Sequence, residues 1–369
     1  MKVIQFVPAL ESGGVEQGVL EIANALVASG HESHVVSAGG RLVDELIKNG
    51  TSHHCWKLHK KNIFTLRLIR PLRHWILSMN ADVLHVRSRM PAWIVWMACK
   101  GIPEAKRPQL VSTMHGLHSI NFYSAVMTKP LNIIAVSKSS KDYIIDNYTK
   151  TQAKNINLIF RGVDEANYYL GYKPSNEWLS EWDSIYPGTR SSKLLIIAGR
   201  ISPLKDLKKV LHLAKAVKNN SSHAFKVLIV GEAKGRHVRY LGELKKLAQS
   251  LGLTDEIYFL NFRKDIKDLY AISSIAYSTS NKPESFGRSV LEPLSLGIPT
   301  IGYNRGGVQE ILQELYPYGA IEPGNDEELL QKTLNILDGN STEVKPNTKF
   351  LTSRMCKETL RLYQEVSSC

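Results

Sequence analysis

Lys2–Val7 is an apolar run that stops at Pro8. Gly13-Gly14 follows, and then Val19, Leu20, Ile22, Ala23 and Leu26 recur at helical spacing up to Gly30. His34–Ser37 is a second short apolar run. A buried strand, a glycine loop, a helix and another strand in that order open a doubly wound parallel α/β sheet, because the crossover between parallel strands is right-handed. Further strands are expected at Val83–Val86, Leu110–Thr113, Asn132–Val136 and Asn157–Phe160, with helices between them.

At 369 residues the chain exceeds one ordinary core. Between Tyr168 and Arg190 it turns polar and turn-rich, as a link into a second domain does. Apolar runs then resume at Lys193–Ala198, Lys226–Val230, Glu256–Leu260, Ile275–Thr279 and Pro299–Gly302. The expected architecture is two doubly wound parallel-sheet domains facing a cleft, over residues 1–170 and 171–350. Residues 351–369 form a C-terminal amphipathic helix docked on either domain, the N-terminal one included.

The charge balance limits the partners. With 47 Lys and Arg against 34 Asp and Glu the chain carries +13, and residues 41–107 hold 13 of the basic side chains and 4 of the acidic ones. Such an excess favours phosphates, nucleic acid or an anionic membrane face. Lys57–Met79 sets Leu68, Ile69, Leu72, Trp75, Ile76 and Met79 on one helical face, with Arg67, Arg70 and His74 away from it. That face fits a crossover helix packed on the sheet or an interfacial helix, and the two can coexist, the apolar face in the core and Lys57, Lys60, Lys61, Arg67 and Arg70 of the basic 57–73 region at lipid phosphates. Pro71 either kinks the helix or starts a second segment. No nucleic-acid motif accompanies the charge, so no nucleic-acid partner is expected. Cys55, Cys99, Cys356 and Cys369 are far apart and form no Cys-x-x-Cys pair, which fits a reducing cytoplasm rather than a zinc site or disulfide framework. The start lacks the long apolar core of a signal peptide, and no run is long enough for a membrane span. The expected location is the cytoplasm, with any membrane contact peripheral, on the inner face.

Three strand ends carry chemistry. Gly199–Asp206 (GRISPLKD) joins a glycine turn to Arg200 and Lys205, cations suited to a leaving diphosphate. Val230–Arg236 (VGEAKGR) is a similar loop. Glu284–Glu292 (ESFGRSVLE) straddles a strand-to-helix junction at Gly287, where free N–H groups and the positive helix end make an anion site. A departing phosphate needs cations and N–H donors beside it, and the positive charge left behind needs a polar, partly anionic group. Arg200, Lys205 and the Gly287 helix start suit the first requirement, and Glu284 the second. No Asp-x-Asp arrangement is available for a metal, so no metal and no cofactor beyond the nucleotide-diphosphate substrate are expected.

The ordered set Gly13–Glu16 (GGVE), Met114–Gly116 (MHG), Ala135–Ser139 (AVSKS), Arg161–Asp164 (RGVD), Gly199–Asp206, Val230–Arg236 and Glu284–Glu292 resembles the retaining glycosyltransferases of family 4, which have the GT-B fold. The resemblance implies that Arg200 and Lys205 hold the donor diphosphate, that Glu292 bonds the ribose, and that Glu284 lies beside the transferred sugar with the Phe286 and Gly287 amides. It also implies that Gly13 and Gly14 close over the donor phosphate and that His115 orients a sugar hydroxyl. Arg161, where many relatives have Asn, and Asn261, where Gly is usual, depart from the pattern. The implied activity is retaining transfer from a UDP- or GDP-sugar to a glycan or lipid-linked acceptor, such as lipopolysaccharide core. The alternatives are a catalytically silent nucleotide-sugar-binding subunit and a basic nucleic-acid-binding protein.

Overall fold

The computed structural model describes every residue except Ser12, Thr149, Lys150, Arg236 and Cys369. Arg236 of the third glycine loop and the last cysteine therefore lie outside the described residues. The chain forms two units, Met1–Gly162 with Thr352–Cys369, and Val163–Leu351.

The first unit holds β1 (Lys2–Phe6), β2 (Glu32–Ser37), β3 (Ser52–Cys55), β4 (Val83–Val86), β5 (Gln109–Met114), β6 (Asn132–Ala135) and β7 (Ile156–Leu158). They form one parallel sheet in the order β3-β2-β1-β4-β5-β6-β7. All four residues of β4 are buried, as a strand covered by helices on both faces requires. The helix Thr352–Ser367 completes this unit, with Tyr363 fully buried and its hydroxyl 2.5 Å from His85 Nδ1.

The second unit holds β8 (Lys193–Ala198), β9 (Phe225–Val230), β10 (Ile257–Leu260), β11 (Ile275–Ser278), β12 (Thr300–Tyr303) and β13 (Ala320–Ile321), parallel in the order β10-β9-β8-β11-β12-β13. Leu194, Leu195, Ile196 and Ile197 of β8 are buried at its centre.

The eleven expected strands are all present. The two others, β3 and β13, are sheet edges: Ser52-His53-His54-Cys55 has no apolar run, and Ala320-Ile321 is too short to show a pattern. One expectation needs correction. Tyr168–Arg190 is not merely a link, because Asn176–Ile185 is a helix capped by the Ser175 side chain. Its Trp178 and Trp182 stack at 5.5 Å, four residues apart on one face, and Trp182 is buried in the second unit's core. The Lys57–Met79 apolar face is core, as the crossover-helix reading expects. Asn62 caps a 3-10 turn, Ile63–Leu68, and an α-helix, Ile69–Met79, begins with Pro71 in its first turn, where no intrahelical N–H is needed. Leu72 and Ile76 are fully buried, and Leu68, Ile69, Trp75 and Met79 pack on the same cluster.

Candidate functional site

In a doubly wound sheet the loops on either side of the switch in strand order diverge, leaving a crevice at the carboxyl ends of the strands. In the second unit that switch lies between β8 and β11. The loop after β8 carries Arg200 and Lys205, and the loop after β11 carries Glu284, so the topology brings together residues 79 positions apart.

Lys205 Nζ donates to Glu284 Oε1 at 2.6 Å. Ser280 Oγ donates to the same carboxylate oxygen. Burial pushes the Glu284 carboxyl up, but the Lys205 ammonium and the Lys205 and Ser280 hydrogen bonds outweigh it, holding the group below the usual carboxylate range. Glu284 is therefore an anion at neutral pH. Arg200, beyond the end of β8, is exposed. The loops after β8 and β9 press together, since a Cβ on Gly231 would lie 1.9 Å from the Gly199 carbonyl oxygen. Lys234 of the β9 loop pairs with Glu232 at 3.1 Å.

Gly287 precedes the helix Arg288–Ser295 with φ of 116°, a left-handed conformation that strains any residue with a side chain. A Cβ there would also lie 2.9 Å from Val308 Cγ2. Phe286 is buried, with its ring against Phe350 and its backbone close against Gly307. Glu292, one turn into the helix, is tied to Arg288 Nε at 2.9 Å and is 13% exposed. A small pocket is lined by Glu284, Ser280, Tyr303 and Arg305, whose guanidinium donates to the Ser280 carbonyl at 2.7 Å.

Gly13, Gly14 and His115 belong to the first unit; the other six expected site residues belong to the second. Gly13 caps the helix Gly14–Ala28 in extended conformation, with Glu16 in its first turn. His115 follows β5 and lines a small pocket with Gly18, His85, Arg87, Thr113 and Arg161. Burial, then the Arg161 and Arg87 guanidiniums, hold the His115 imidazole well below its usual range, so it is neutral at pH 7 and can hydrogen-bond a hydroxyl in either sense. Arg161 is buried, 3.6 Å from the Glu21 carboxylate. Asn261 is exposed just after β10.

Sequence reasoning missed Ser280, Arg288, Arg305 and Arg87. The Arg288–Glu292 spacing of four was visible as a helical ion pair. Nothing in the sequence distinguished Ser280 from its serine neighbours.

The geometry has counterparts among known proteins. The model for Glycosyl transferases group 1 matches residues 181–349, and that for Glycosyltransferase Family 4 matches residues 12–167. N-acetyl-alpha-D-glucosaminyl L-malate synthase of Bacillus anthracis is 24% identical over 307 residues, covering 79% of this chain and 76% of the relative. A glycosyltransferase from Rickettsia africae ESF-5 superposes with a TM-score of 0.83 at 28% identity, over 99% of this chain and 98% of the other. Anabaena HepE, solved with UDP and glucose, superposes with a TM-score of 0.80 at 20% identity, over 99% and 100%. These likenesses define the fold class as GT-B. The chain belongs to glycosyltransferase family 4.

Proposed function

We propose that this glycosyltransferase moves a sugar, with retention and without a metal ion, from a UDP- or GDP-sugar to a glycan or lipid-linked acceptor of the cell envelope, such as lipopolysaccharide core. The observation that carries this reading is the Lys205–Glu284 contact at the switch point. An ammonium has three donors, so Lys205 keeps Glu284 in place and still offers N–H groups to a diphosphate oxygen. Arg200 and the Gly287 helix start add to that anion site, which stabilises the leaving diphosphate as the anomeric C–O bond breaks. Glu284 faces the positive charge that develops on the sugar ring. The acceptor oxygen arrives on the departing face, and its proton passes to the leaving phosphate. Glu292 bonds the ribose, Gly13 and Gly14 close over the phosphate, and neutral His115 orients a sugar hydroxyl.

A nucleotide-sugar donor, and UDP as its nucleotide, is supported by HepE, which was solved with UDP and glucose. Metal independence is supported by the cations already at the site. Among the described residues no group of three or more His, Cys, Asp or Glu could hold a metal ion. The acceptor class rests on the basic charge of the first unit. Among the described residues no helix is long and apolar enough to cross a membrane, and the proposed location is the cytoplasmic face of the inner membrane.

The test is transfer by the purified chain from an α-linked nucleotide sugar, with the product's anomeric configuration read by NMR and the rate compared with and without EDTA. An α product at an unchanged rate is expected. A β product, or activity lost in EDTA and restored by Mg²⁺ or Mn²⁺, would overturn the retaining or the metal-free assignment respectively.

A further inference from the structure

The first unit has a face that the transfer chemistry does not use. On the 3-10 turn Ile63–Leu68, Ile63 is 74% exposed and Phe64 62%; on a second segment Ile120 is 60% and Phe122 78% exposed. The two segments adjoin. Lys61 Nζ sits 4.7 Å from the centre of the Tyr123 ring, Trp93 Nε1 donates to the Tyr123 carbonyl at 2.9 Å, and the Trp93 and Phe122 rings are 5.0 Å apart. One exposed large apolar residue is ordinary, but four on adjoining segments form a patch.

Cations surround it. Lys57, Lys60, Lys61, Arg67 and Arg70 are exposed, and Arg67 lies 5.0 Å over the Phe64 ring. Lys100 and Lys129 lie over Trp96 on the neighbouring helix, at 4.3 and 5.3 Å. Neither residues 57–79 nor residues 115–141 contain an Asp or Glu. A soluble polyanion would use the cations and leave Ile63 and Ile120 in water, whereas an apolar protein partner would leave the unpaired cations without counter-charge. A bilayer with anionic headgroups satisfies both, because phosphates meet the cations while rings enter the boundary with the acyl chains.

We propose that this face seats the chain on an anionic phospholipid bilayer, with Phe64 and Phe122 entering the headgroup–acyl boundary and Lys60, Lys61, Arg67 and Arg70 at the phosphates. These apolar groups are distinct from the buried Leu72–Ile76 face. The proposal deepens the reading of a lipid-linked acceptor by naming the surface that would meet the bilayer. Vesicle binding needs neither donor nor turnover, so it can fail while transfer stands, and the reverse.

The test is co-sedimentation of the full chain with vesicles of phosphatidylcholine alone or mixed with phosphatidylglycerol, at low and high salt. Binding to the mixed vesicles, weakened by salt, is expected. Phe64→Ser with Phe122→Ser should lower partitioning about 100-fold, roughly ten-fold for each ring. Lys60→Gln with Lys61→Gln should lower it about 30-fold. All four side chains are exposed, and circular dichroism and thermal unfolding confirm that the variants fold. No binding to mixed vesicles at low salt, or equal binding by wild type and the Phe64/Phe122 variant, overturns the proposal. So does a wild-type dimer that the phenylalanine changes convert to monomer without any vesicle binding, which would make the patch a self-association surface.

Discussion

Replacing Lys205 by methionine should lower kcat/KM for transfer by about 10²- to 10³-fold, the scale of removing one preorganised donor from a developing oxyanion. The same change leaves the Glu284 carboxylate without its cation. In the wild type, Lys205 and Ser280 hold the Glu284 pKa below its unfolded value, so the group's contribution to stability is present above the unfolded pKa of about 4.5 and is lost as pH falls through the folded pKa. Without Lys205 burial is opposed only by the serine hydrogen bonds, so the folded pKa should rise and the variant should lose the stability that the wild type gains as pH rises. The gap in unfolding free energy between wild type and Lys205→Met should widen from pH 4 to pH 7, to about 2 kcal/mol. That is below the range for a fully buried unpaired charge, because Glu284 is 23% exposed. Urea unfolding across pH measures the gap. A constant gap would mean that Lys205 does not set the state of Glu284.

The two glutamates should respond differently to mutation. Glu284→Gln keeps the side chain's size and its oxygen acceptor but removes the charge that faces the sugar. It should lower kcat about 100-fold with little change in KM, the signature of an interaction made in the transition state. Glu292→Ala removes a charged hydrogen bond proposed to hold the ribose and should raise KM for the donor about ten-fold or more, with kcat nearly unchanged. Arg288, 2.9 Å from Glu292, is left without that partner, so Glu292→Gln serves as the control that retains a neutral hydrogen bond. Steady-state kinetics with the donor varied separates the two patterns. Equal changes in kcat and KM for both variants would show that the roles are not divided as proposed.

The layout of this site was legible because its constraints are local. A left-handed turn between strand and helix selects glycine, which marked Gly287, and a parallel sheet buried on both faces selects continuous apolar runs, which marked β8 and β11. What could not be read was set by tertiary partners. Arg305 meets the Ser280 carbonyl only because the loop after β12 packs behind the loop after β11. Trp178 and Trp182 sit in a polar stretch whose helical face shows only once Ser175 is recognised as a cap. In Lys57–Met79 the helical period correctly located an apolar face, but periodicity cannot say whether that face meets core or lipid. The exposed Ile63 and Phe64 lie on a 3-10 turn that the period does not describe.

Nucleotide-sugar binding by the second unit is tested most directly by thermal unfolding of the wild type and of the Lys205→Met/Glu292→Ala double variant with UDP-, GDP- and ADP-sugars. One of these donors, at a concentration about 100 times its Kd, should stabilise the wild type by about 2.7 kcal/mol and the double variant by no more than about 1.4 kcal/mol, the value for a Kd about ten-fold weaker. No shift with any nucleotide sugar, or an equal shift in the double variant, would contradict a donor site built on Lys205 and Glu292.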